Sequence, residues 1–113
     1  MSSLNKILLI GNVGADPEVK HLETNTVAKF DLATSDTYKG KDGEKRTNTE
    51  WHTIVCWKKT AEFVAKYVKK GSQVYVEGSV KYRSYEKDGV TRYYTEISAE
   101  NIQMLGKKPE ENN

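Results

Sequence analysis

From residue 50 to residue 58 the chain changes character at every step. Trp51, Thr53, Val55 and Trp57 fall on one side, His52, Ile54 and Cys56 on the other. A period of two belongs to an extended strand, because successive side chains point to opposite faces of a sheet. The same period recurs over 26–34, where Ala28, Phe30 and Leu32 oppose Val27, Lys29 and Asp31. Two such half-buried strands need further strands to cover their apolar sides. These are expected over 5–14, which 18–22 can continue beyond a bulge or bend near Gly14 and Pro17, and over 72–85 and 90–105. The last two join around Lys87-Asp88-Gly89, where Asp-Gly signals a tight hairpin turn. Residues 35–49 are polar and contain Gly40, Asp42 and Gly43, so a long mobile connection is expected there.

Only one stretch has a helical period. Over 60–70, Ala61, Val64, Tyr67 and Val68 form a stripe at 3–4 spacing, with Thr60 as N-cap and Glu62 in the first turn. Lys69 and Lys70 would close the last turn, and Gly71 would follow as C′. Three strands, a short helix and two strands make an all-β chain of the OB-fold type, a five-stranded Greek-key barrel with its helix after the third strand. Other small β-barrels share that strand count. The 113 residues suffice for one core. Residues 1–106 are expected to form the domain and 107–113 a short disordered tail.

Composition excludes several classes. The longest apolar run, Ile7-Leu8-Leu9-Ile10, is far below the roughly 20 residues that span a bilayer. Nothing near the N-terminus suggests export, so none is expected, and a single cysteine, Cys56, suits a reducing cytoplasm. One Cys and two His are too few for a structural zinc site, and no cofactor is expected. No nucleophile–base constellation or phosphate loop stands in the chain, so no enzyme is read here. His52 is expected to be a hydrogen-bonded structural residue, and Cys56 an inert mid-strand thiol.

The net charge of +2 identifies nothing, but its distribution does. Residues 38–94 hold thirteen Lys and Arg against seven Asp and Glu, and ten of the eleven aromatics. A polyanion carrying flat bases would suit such a surface, although a solvated face over a Tyr-rich core has the same composition. The alternation is more specific. If Ile54 and Cys56 face the interior, Trp51 and Trp57 face outward, about 20 Å apart at a strand's rise per residue. The reverse arrangement buries both indoles but exposes two core-type residues, so the outward reading is preferred. Lys81, Arg83 and Tyr85 likewise share a strand face that can hold phosphates and stack a base. A solvated hairpin face with Tyr85 as a packing residue is the alternative.

A family resemblance runs through about residues 4–106. Asn-Lys-Ile-Leu-Leu-Ile-Gly-Asn-Val-Gly at 5–14, Asp-Pro-Glu-Val at 16–19 and Leu-Ala-Thr-Ser at 32–35 resemble the N-terminal half of bacterial single-stranded DNA-binding proteins. Thr-Glu-Trp-His at 49–52, Lys-Gly-Ser-Gln-Val-Tyr-Val-Glu-Gly at 70–78 and Gln-Met-Leu-Gly at 103–106 resemble the rest. The resemblance implies an OB-fold homotetramer that binds single-stranded DNA without sequence preference in replication, recombination and repair, in the cytoplasm with the nucleoid. It implies stacking by Trp51, Trp57, Tyr38 and Tyr85, and phosphate contacts by Lys59, Lys70, Lys81, Arg83 and Arg92. It also implies that the strand holding Ile7 and Ile10 pairs between subunits, with His52 near an interface. Departures are Tyr at 38 and 85 where Trp is frequent, Trp57 where Phe is common, and Thr53 where a basic residue is frequent. The acidic, apolar tip that recruits repair proteins in this family has no counterpart in 107–113, so no such recruitment is expected. Alternatives are an RNA-binding OB protein, told apart by matched DNA and RNA oligomers, and a primosome-type protein–protein module, told apart by weak DNA affinity in a dimer.

Overall fold

The structure is a computed structural model that describes residues 3–106, and the expected tail at 107–113 lies outside them. In chain order the elements are β1 (Ile7–Val13), β2 (Glu18–His21), β3 (Thr26–Lys39), β4 (Lys45–Trp57), α1 (Lys58–Tyr67), β5 (Gln73–Lys87) and β6 (Val90–Leu105). β1 and β2 are halves of one bent strand. Both pair antiparallel with β3, Val13 opposite Leu32 and Glu18 opposite Lys29. Five steps on one strand thus match three on the other, and the surplus is taken up in the bend containing Gly14 and Pro17.

Counted this way the sheet has five strands, with the helix after the third. Its order is β1-β5-β6-β4-β3-β2, and a β1–β3 pairing joins the ends into a barrel, the OB-fold read from the sequence. Closure demands a close approach. A Cβ on Gly11 would stand 2.2 Å from the Ala33 carbonyl oxygen, so glycine alone fits that crossing. On the other side β4 meets β6 in a short parallel ladder, Ile54 opposite Ile97 and Val55 opposite Ser98. The residues that the alternation turned inward fill the core: Ala28, Phe30 and Leu32 from β3, Ile54 and Cys56 from β4, with Ala61 and Val64 of α1 closing one side. Full burial of a Leu, Ile or Val side chain contributes about 1.5–3 kcal/mol.

Two local expectations are corrected. Residues 35–49 are mostly not a loop: the β3–β4 ladder runs unbroken from Val27–Trp57 to Lys39–Lys45. Only residues 40–44 turn, held by Gly40 N–H donating to the Glu44 carbonyl at 2.8 Å and by an Arg46–Asp42 ion pair at 2.6 Å. Both faces of this arm are wet, so its strands show no apolar alternation, and Thr37, Thr47 and Thr49 are the main trace of their β preference.

The helix is also displaced. It starts at Lys58, not Thr60, and ends at Tyr67, not Lys70; Trp57 is its N-cap, with no capping side chain. Lys58 adopts φ 55°, turning the chain directly from strand into helix and leaving Thr60 and Glu62 no capping role. Docking of Ala61 and Val64 on the barrel outweighs the local cap signal. Beyond Tyr67 the Ser72 hydroxyl accepts from Lys69 N–H at 3.0 Å and the Asp16 carboxylate from Lys70 N–H at 2.9 Å, which draws both lysines out of the helix. The Asp88-Gly89 turn is as read, with φ 53° and 76° at its two central residues, a type I′ hairpin.

Candidate nucleic-acid interface

The wet side of β4 sets the first part of the site. Trp51 and Trp57 are 61% and 42% exposed, while Ile54 and Cys56 between them are fully buried. The outward reading of the alternation therefore holds. Trp51 is not merely exposed but seated. A Cβ on Gly14 would fall 2.6 Å from its Cζ3 and 2.9 Å from its Cη2, so the indole rests where any larger residue would stand. Gly14 was legible in the sequence only as punctuation; its contact with Trp51 depends on the β1–β2 bend.

Register supplies the neighbours. Val27 lies opposite Trp57 and Lys29 opposite Val55, while Lys20 lies opposite Val27 and Glu18 opposite Lys29. Lys20 and Lys29 therefore join the tryptophan face, accompanied by Glu18 and by Asp31, whose carboxylate accepts from the Thr53 hydroxyl at 3.5 Å. Lys29 was visible from alternation; Lys20 needed the strand pairing.

The second part is the arm formed by β5 and β6. Arg83 lies opposite Tyr94, Tyr85 opposite Arg92, Lys81 opposite Glu96 and Ser79 opposite Ser98. Residues directly opposite in an antiparallel pair share a face. Lys81, Arg83, Tyr85 and Arg92 thus lie on one side with Ser98, and Ser98 adjoins Val55 on β4. The structure brings the arm's four expected residues onto the same outer surface as both tryptophans. It adds Tyr94, whose ring lies 5.9 Å from Tyr85 at 58°. The two-residue turn already implied that pairing. Arg83 is partly neutralised from within, its Nε donating at 2.8 Å to the carboxylate of buried Glu96. Tyr82 and Tyr93 stand on the reverse face, 80% and 79% exposed.

The remaining expected residues lie elsewhere. Tyr38 alternates with Leu32 and Thr34 and sits opposite Arg46, on the other face of the β3–β4 ribbon from Trp51. Lys59, on α1, borders a shallow groove with Phe63 and Glu100. Lys70 is exposed, and its backbone bond to Asp16 places it beside the bend that supports Trp51. His52 is half-buried and shares a 2.9 Å hydrogen bond with the Thr34 hydroxyl. Burial pushes the Cys56 thiol up to about 12, so it supplies no nucleophile at ordinary pH. Among the described residues no three His, Cys, Asp or Glu are placed to hold a metal ion, and no helix is long and apolar enough to cross a membrane.

The chain is similar to several known proteins. Single-stranded DNA-binding protein 1 of Xylella fastidiosa is 49% identical over 99% of this chain and 85% of its own length. The single-stranded DNA-binding proteins of Xanthomonas axonopodis and Neisseria meningitidis are 42% and 43% identical, and the chain spans 61% and 63% of their lengths. The backbone is similar to that of a structure described as Plasmodium falciparum SSB complex with ssDNA. The TM-score is 0.83, with 34% identity, over 94% of this chain and 98% of that one. The single-stranded DNA binding protein from Thermus aquaticus gives a TM-score of 0.77 at 29% identity, over 91% of this chain and 51% of that one. The single-strand binding protein family matches residues 4–105, and the chain belongs to that family.

Proposed function

We propose that this chain binds single-stranded DNA without sequence preference and protects it during replication, recombination and repair. The observation that carries the reading is the continuous outer face on which Trp51 and Trp57 adjoin Lys81, Arg83, Tyr85 and Arg92 through the Val55–Ser98 ladder. Every base has a π-face, so stacking tolerates any sequence, while phosphates displace counterions along the basic residues. Lys59 and Lys70 extend the charge beyond β4, and Tyr38 offers a further stacking ring on the opposite face of the β3–β4 ribbon. The role is binding without catalysis, in the cytoplasm.

Self-association into a homotetramer belongs to the same proposal. Leu8 and Ile10 are more than half exposed on the outer side of β1, which supports a partner strand there. A fluorescence titration with oligothymidylate at several salt concentrations tests the function. Tryptophan quenching is expected, with a salt slope of about 0.7 per phosphate neutralised. No quenching, or a preference for matched RNA, would sink it. A mass measurement on the same sample tests the tetramer.

A further inference from the structure

Two features of the indole-bearing ribbon cost the fold something and have no structural return within it. The first is Lys58. It follows Trp57 directly, is exposed, and holds φ 55°, in the left-handed region. An L-residue with a full side chain is disfavoured there, and glycine or asparagine is the ordinary occupant. Among the described residues only Asp88, in the hairpin turn, is another non-glycine with positive φ. Strain held at an exposed position beside a binding surface is an observation from which function can be inferred.

The second feature is at the far end of the ribbon, where Lys39 lies directly opposite Lys45. Like charges opposite one another in an antiparallel pair repel. Counting by twos from Lys45 reaches Trp51 after six residues and Trp57 after twelve, so this pair shares the tryptophan face. The ion pair at the tip, Arg46 with Asp42, belongs to the neighbouring position and leaves the two lysines unmatched.

We infer that Lys39 with Lys45 at one end, and Lys58 at the other, hold phosphates that flank the two stacked indoles. Each placement that weakens the free fold becomes favourable once a polyanion lies along β4. This rests on the single-strand reading above and adds contacts to it. The three lysines bracket the track over about 40 Å of strand, at the usual rise per residue. They recognise charge and not base identity, as the phosphate backbone requires.

The test separates strain from charge. Lys58→Gly removes both, Lys58→Gln removes only the charge, and Lys45→Thr removes the cross-strand repulsion with the charge. Each is titrated with oligothymidylate across salt and melted without DNA. All three should weaken binding about three- to tenfold at low salt and lower the salt slope by about 0.7. Lys58→Gly and Lys45→Thr should also raise the melting midpoint by about 2–5 °C, whereas Lys58→Gln should leave it in place. Lys66→Gln, on α1 with its ammonium over the Tyr67 ring, is the charge control and should change the slope little. Unchanged affinity in the variants, a lower midpoint for Lys58→Gly, or an equal loss in Lys66→Gln would overturn the inference. If the unaltered chain binds and the variants match it, only this inference fails; if the unaltered chain does not bind, the single-strand reading fails with it.

Discussion

The tryptophan face of β4 and the front of the β5–β6 arm form one surface but are supported differently. On β4 the indoles stand on a closed barrel, with the core directly beneath and Gly14 against the ring of Trp51. On the arm, residues 81–95 are all exposed, and Tyr85 and Tyr94 support one another. The first region is shaped before a ligand arrives; the second has two strands and no core behind it. Pre-organised contacts lose less freedom on binding, so the barrel face should carry most of the affinity and the arm should adapt to it.

The largest expected effect follows from that contrast. Trp51→Ala should weaken oligothymidylate binding by about 1–3 kcal/mol, and Tyr85→Ala by less. Equal losses measured in parallel titrations would break the comparison. Next is Gly14→Ala, which leaves every ring and charge of the face in place yet puts a methyl where the indole lies. It should cost about 1 kcal/mol of affinity, with a changed tryptophan fluorescence spectrum in the free protein. An unaltered spectrum and affinity would mean the seat does not matter. On the arm, Glu96→Gln keeps an acceptor for Arg83 but removes the opposing charge. Binding should tighten by a few tenths of a kcal/mol and the salt slope steepen. Weaker binding would instead make Glu96 a necessary orienting group. The smallest expected effect is none. With its thiol pushed up to about 12 by burial, Cys56 stays protonated and covered at pH 8, and a thiol reagent should label it only in denaturant. Labelling of the native chain would show that the barrel opens readily beneath the indoles.

Much of this surface was legible from alternation alone, because one face of β4 had to be buried and Ile54 with Cys56 could not sensibly be the exposed one. The Asp88-Gly89 turn sets the register of the arm and so puts Arg92 opposite Tyr85, although Arg92 was named only through the family resemblance. Where both faces of a ribbon are wet the signal vanishes, and the strands through Tyr38 and Arg46 read as a loop. The start of α1 was misread for another reason. Thr60 offers a local cap, but the position of the helix is set by where Ala61 and Val64 meet the barrel, which no local pattern reveals. Lys20 and the seat at Gly14 depend on the β1–β2 bend and could only come from the pairing.

The six-residue interval between Trp51 and Trp57 has a consequence for how such a chain can change. A strand's faces repeat every two residues, so inserting or deleting one residue within that interval would swing one indole into the core and bring a core residue out. Only changes by pairs preserve the surface, and each pair moves the rings apart by about 7 Å. Past Ser35 and Thr49 no such penalty applies, since the ribbon there has no buried side to lose. Descendants of this sequence can therefore lengthen the β3–β4 ribbon beyond those residues without turning a core side chain outward, while the spacing of the two indoles stays fixed to the wall that carries them.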